Sequence, residues 1–141
     1  MAGASKTKIY DVDINKLYQT ITNYQNYPNF VDGVDSIEII SQDESGAKVR
    51  YGLNLIKQFS YVLDLQHEAP TKVSWTFDSG DLFKNNNGMW ELKDLGDGKT
   101  EVTYSLDVDF KLMVPKMILN KLTGKNLPAM MDSMVNKAKQ G

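Results

Sequence analysis

The chain has 141 residues, 41% of them hydrophobic, with 16 basic and 18 acidic side chains and a net charge of −2. That even balance gives no electrostatic footprint for nucleic acid. The lack of cysteine removes disulfide and thiolate chemistry, and one histidine without cysteine supplies no transition-metal ligand set.

Ser5 to Val12 alternates polar and β-favouring residues and predicts an opening strand. Asp13 is placed to cap a helix whose apolar positions are Ile14, Leu17, Tyr18 and Ile21. The helix decays through Asn23–Asn26, and Tyr27-Pro28-Asn29-Phe30 predicts a turn into a second short helix closed by Gly33. From Val34 to Phe110 the period changes to two. Val34–Ser41 is a strand, Asp43–Gly46 a turn, and Val49, Tyr51, Leu53 and Leu55 share a face of the next strand. Phe59, Tyr61, Leu63 and Leu65 do likewise, as do Val73, Trp75 and Phe77. Gly80–Asn87 predicts a polar loop whose Leu82 and Phe83 stand exposed, the composition of a lid or mouth. A strand over Gly88–Lys93 follows, then a hairpin at Leu95-Gly96-Asp97-Gly98. In the last strand Val102, Tyr104, Leu106, Val108 and Phe110 alternate with polar residues.

Lys111–Gly141 is the one segment with helical period and sufficient length. Gly124 and Pro128 interrupt it, which predicts a first piece over Val114–Thr123, a break at Gly124–Leu127, and a main helix from Pro128. Five of the seven methionines, Met113, Met117, Met130, Met131 and Met134, fall here. Unbranched and polarisable, they suit the wall of an adaptable apolar pocket as well as an ordinary core. Short turns between successive strands imply an antiparallel meander with one apolar face, and the final helix is the element left to cover it. The expected class is α+β: a curved antiparallel sheet of about seven strands wrapped around a long C-terminal helix, with two short helices between the first two strands. One domain over residues 1–141 is expected. No signal-peptide core and no run near ~18 apolar residues is present, so a cytoplasmic protein is expected.

The pattern Ile14-x-x-Leu17-Tyr18, then Tyr24-x-x-Tyr27-Pro28-x-Phe30-Val31-x-Gly33-Val34, resembles the coenzyme-Q-binding/polyketide-cyclase group. That group lies within the START-like (Bet v 1-like, SRPBCC) superfamily, which includes ribosome-association toxin proteins. Gly88-x-Trp90-x-Leu92 and Gly98-x-Thr100-x-Val102-x-Tyr104 are similar to the paired terminal strands of the same group. The resemblance implies a helix-grip fold with an apolar cavity between sheet and helix, in which members bind quinones, lipids, sterols or polyketides. The Gly124–Pro128 break departs from the more continuous helix of some relatives.

No catalytic constellation emerges. His67 is the single histidine; near a strand end, it reads as a structural or rim residue. Asp107 and Asp109 fall on the polar face of the final strand and are expected to meet water. Arg50, opposite Val49 and Tyr51, is expected in a surface salt bridge. Lys116, Lys121 and Lys125 beside apolar residues would suit transient contact with a membrane surface, against the plainer reading of a solvated face. The candidate pocket lining is Tyr51, Tyr61, Leu63, Trp75, Phe77, Trp90, Tyr104 and Leu106 from the sheet and Met117, Met130, Met131 and Met134 from the helix. No catalytic residue, metal or cofactor is expected. The function expected is binding of a hydrophobic small molecule, as carrier or sequestering protein. A cyclase-like enzyme using Tyr51, Tyr61, Tyr104 or His67, and a ribosome- or protein-associating regulator, are the competing readings.

Overall fold

The computed structural model describes residues 2–31, 33–54, 58–111 and 127–140. Strand β1 (Ala2–Tyr10) leads into helix α1 (Ile14–Thr22) and a 3-10 helix (Tyr24–Asn29). Six strands follow: β2 (Val34–Asp43), β3 (Gly46–Asn54), β4 (Gln58–Glu68), β5 (Lys72–Gly80), β6 (Phe83–Gly96) and β7 (Lys99–Phe110). A C-terminal helix spans Leu127–Gln140. The helical piece expected over Val114–Thr123, the break at Gly124–Asn126, and Met113 and Met117 lie outside the described residues.

Local chemistry explains the boundaries. The Asp13 carboxylate accepts from the backbone N–H groups of Asn15 and Lys16, both at 3.1 Å, satisfying donors that the first turn of α1 cannot. Between β2 and β3, Asp43 Oδ1 accepts from the Ser45 N–H at 2.8 Å, its hydroxyl at 2.7 Å and the Gly46 N–H at 3.1 Å, which closes the predicted turn. At the β6–β7 hairpin Asp97 and Gly98 have φ of 54° and 74°, the mirror-image turn whose twist matches its strands.

All neighbouring strands are antiparallel, in the order β1-β7-β6-β5-β4-β3-β2, so the chain's first strand joins its last. β1 begins three residues earlier than Ser5 because Ala2 already pairs with Val108 on β7. One expectation is overturned. The Gly80–Asn87 segment is not a loop: β6 starts at Phe83, and Leu82 and Phe83 are buried rather than exposed. Its register against β7, with Asn86 opposite Val108 and Phe83 opposite Phe110, supplies the partner that the asparagine-rich composition does not advertise. Against β5, by contrast, β6 pairs only from Lys72↔Glu91 to Trp75↔Gly88.

The apolar stripe of α1 (Ile14, Leu17, Ile21) and that of the C-terminal helix (Leu127, Met131, Met134, Val135, Ala138) enter one core with the concave face of the sheet. The two helices touch each other, and the C-terminal helix also reaches β1. There the Tyr10 hydroxyl donates to Asp132 at 2.7 Å and Lys8 Nζ donates to the same oxygen at 3.3 Å. The buried Thr100 hydroxyl donates to the Val12 carbonyl at 2.7 Å, joining the last strand to the approach of α1.

Candidate functional site

Between the concave sheet face and the helices lies a cavity of about 120 Å³. Alternation along each strand, with its phase changed in β6 by a bulge between Phe83 and Asn85, decides which side chains reach it. β3 contributes Tyr51 and Leu53; β4 contributes Tyr61, Leu63 and Leu65; β5 contributes Val73 and Trp75. From β6 come Phe83, Asn86 and Trp90, and from β7 Tyr104, Leu106 and Val108. Ile21, Tyr24, Tyr27, Val31 and Val34 close one side, and Leu127 and Met130 of the C-terminal helix line another.

Of the residues singled out from sequence, the fold therefore brings together Tyr51, Tyr61, Leu63, Trp75, Trp90, Tyr104, Leu106 and Met130. Phe77 is not on the wall; it is partly buried, edge-on to Phe83 with centroids 6.5 Å apart. Met131 and Met134 also leave the wall, because at 100° per residue they join Val135 and Ala138 in the fully buried stripe, whereas Met130 is turned aside from it. Met117 lies outside the described residues. Sequence reasoning missed Asn86, Phe83, Tyr24 and Tyr27. For Asn86 a signal existed, since it shares alternation with Gly88 and Trp90, but the Asn85-Asn86-Asn87 run masked it. Tyr24 and Tyr27, three residues apart, belonged to an aromatic cluster read only as packing.

The rings are arranged in contact pairs. Tyr51 and Tyr61 stack with centroids 5.1 Å apart and planes 13° off parallel, Tyr61 meets Phe83 edge-on at 4.9 Å, and Trp90 lies 4.3 Å from Tyr104. Such offset and edge contacts fill space while leaving each polar tip free to point elsewhere. The Trp75 indole N–H donates to Asn86 Oδ1 at 3.1 Å, a buried pair within the wall. Gly88 makes room for that indole: a Cβ there would stand 2.7 Å from Trp75 Cε2 and 2.6 Å from the Ser105 carbonyl.

Burial pushes the phenols of Tyr27, Tyr51, Tyr61 and Tyr104 above their ordinary value, since an ionised ring would lose its hydration. They are neutral donors at physiological pH. No Asp, Glu, Lys, Arg or His occurs among the described lining residues. Chemically the site can exclude water, stack a ring and donate hydrogen bonds; its described walls hold no group poised to remove a proton.

His67 stands outside the lining and acts on it through Tyr24. The Tyr24 hydroxyl and His67 Nε2 form a hydrogen bond at 2.8 Å. The two rings stack with centroids 6.0 Å apart. Desolvation holds His67 below the usual imidazole value, with the Asp43 carboxylate pulling the other way. On the convex face, Arg50 pairs with Glu38 as expected of a surface salt bridge. Asp107 departs from its expected exposure. It is half-buried beside an open groove on that face, and its Oδ1 is enclosed with no hydrogen-bond partner among the described residues. Asp109 is likewise partly buried. Among the described residues no cluster of three or more His, Asp or Glu could hold a metal ion, and no helix is long and apolar enough to cross a membrane.

Residues 10–135 match the sequence profile of a family described as polyketide cyclase/dehydrase and lipid transport. No curated protein matches the chain. Among solved structures it is similar to a START superfamily protein from Mycobacterium smegmatis, at 19% identity and a TM-score of 0.83, with 99% of each chain covered. It is similar also to the Zhui aromatase/cyclase from Streptomyces, at 11% identity and a TM-score of 0.70, covering 98% of this chain and 86% of that one. A major latex-like protein from Panax ginseng aligns at 12% identity and a TM-score of 0.69, with 97% of each chain covered. At these identities the likeness is one of fold.

Proposed function

This chain belongs to the polyketide cyclase/dehydrase and lipid-transport family, and from that membership we propose that it binds a hydrophobic small molecule between sheet and C-terminal helix, as a carrier or sequestering protein without catalysis. The observation that carries the reading is the wall itself: aromatic and aliphatic side chains from six strands converge on one concave space, and none of the described ones is charged. Holding a guest there needs only desolvation, about 0.8 kcal/mol for each methylene taken out of water. A hollow of about 120 Å³ takes one six-membered ring, on the scale of a dry cavity of roughly 150 Å³ that accepts benzene. For a longer molecule, such as an isoprenoid quinone or a lipid, the flexible Met130 side chain is the wall element best able to yield. In this reading the whole chain is one ligand-binding domain, working in the cytoplasm.

Native mass spectrometry of protein taken from its source, followed by solvent extraction, tests the proposal. Recovery of a stoichiometric hydrophobic molecule is expected. An empty protein that also fails to bind any neutral apolar probe would overturn the reading.

A second reading has one observation behind it: Tyr51, Tyr61 and Tyr104 put three phenols on the cavity wall. An aromatase/cyclase-like enzyme could use such a donor to polarise a substrate carbonyl. It requires turnover of a poly-β-ketone that falls when these tyrosines are replaced by phenylalanine, and turnover unaffected by all three changes would dismiss it.

A further inference from the structure

Asn86 is only 5% exposed, and its neighbour fixes the orientation of its amide. An indole nitrogen can only donate, so the amide atom facing Trp75 at 3.1 Å is the oxygen. What remains to Asn86 is its NH2, a pair of donor hydrogens on a residue of the cavity wall. The neighbouring phenols, kept protonated by burial, add further donor hydrogens. An ionised guest would therefore surrender its hydration without meeting a counter-charge among the described lining residues. A pure hydrocarbon would fit but would offer no acceptor to the amide donors, which bond to none of the described residues.

We propose, building on the reading that this cavity holds a hydrophobic molecule, that the enclosed part of the guest is an uncharged, ring-sized group carrying a carbonyl-type acceptor, and that the Asn86 NH2 is the donor that selects it. Trp75 is the positioning residue. It holds the oxygen of the amide away from the guest, so that the site offers a donor where a freely turning amide would offer either group. The selectivity follows from hydrogen-bond direction rather than size, since ketone and hydrocarbon isosteres have nearly the same shape.

The test uses the intact protein at neutral pH and four probes built on one ring: acetophenone, its hydrocarbon isostere α-methylstyrene, benzoate, and α-methylbenzylammonium. Binding is measured by calorimetry, with the indole N–H resonances of Trp75 and Trp90 reporting where each probe sits. Acetophenone is expected to bind about tenfold more tightly than α-methylstyrene, as one hydrogen bond to an otherwise unanswered donor implies, and the two ions not measurably. In Asn86→Leu the ketone's advantage should shrink to about twofold or less while α-methylstyrene still binds. Equal binding of ketone and hydrocarbon by the natural protein, or tightest binding by benzoate, overturns the proposal and leaves the hydrophobic-guest reading standing. Failure of both neutral probes removes that reading as well. Should Asn86→Leu not fold, Trp75→Phe takes its place: the unanchored amide is expected to lose the ketone preference, and an undiminished preference refutes the assignment.

Discussion

Replacing Gly88 by alanine places one methyl group where the structure has no room for it. The new Cβ would lie 2.7 Å from Trp75 Cε2, closer still to Cζ2, and 2.6 Å from the carbonyl oxygen of Ser105, so both the indole and the β6–β7 ladder must give way. Overpacking of this kind costs about 1–3 kcal/mol. Swinging the indole aside also breaks its bond to the buried Asn86, worth about a further 1 kcal/mol. Together these give a loss of about 2–4 kcal/mol, or a fall of roughly 6–15 °C in Tm for a chain of this length. Urea titration followed by far-UV circular dichroism measures it. Gly88→Ala in a Trp75→Phe background isolates the cause, because the smaller ring vacates part of the disputed space. The double variant should be less destabilised than the sum of the singles by about 1 kcal/mol or more. Additive costs, or a Gly88→Ala protein within about 0.5 kcal/mol of the natural one, would refute the steric argument.

Thr100→Val should cost about 1–2 kcal/mol in urea titration, because it strands the Val12 carbonyl beneath a fully buried side chain, whereas Asp132→Asn at a half-exposed ion pair should cost less than about 1 kcal/mol. The native His67 imidazole is held below its unfolded value, so the unfolded chain takes up this proton first as pH falls from about 6.5. Stability attributable to His67 is therefore complete above that pH and is lost on acidification below it; His67→Gln should flatten this part of the profile between about pH 5 and 7.5, and an unaltered slope counts against the assignment. Met130→Trp fills the hollow from a partly buried position, and should weaken α-methylstyrene binding by about tenfold at a stability cost of no more than about 1–3 kcal/mol. Unchanged affinity in a folded variant would put the guest elsewhere.

The elements legible from sequence were those whose local pattern and tertiary role agree. β7 is the clearest, since Val102, Tyr104 and Val108 alternate inward as written and its hairpin is set by Asp97-Gly98. The Asp13 cap and the helix beginning near Pro128 likewise follow from capping and proline chemistry that is local. Residues 83–87 were not legible, because three asparagines argue for a loop and only pairing with β7 makes them a strand. The pocket was legible as a set of inward aromatics but not as a volume. Whether Tyr51 and Tyr61 stack on each other or stand apart around a larger space depends on ring placement that alternation does not encode. The methionine periodicity marked the correct buried helix, yet could not separate Met130, beside the hollow, from Met131 and Met134, inside the packing.

The brevity of the β5–β6 ladder has a mechanical consequence. Four residue pairs join β1, β7 and β6 to β5, β4, β3 and β2, where every other neighbouring pair of strands is joined along most of its length. The sheet is thus two leaves bound along a short spine, and its softest bending line runs beside Trp75 and Gly88. Any swelling needed to admit a bulky guest is cheapest along that line, and backbone amides of Lys72–Trp75 should exchange with solvent deuterium sooner than those of β7.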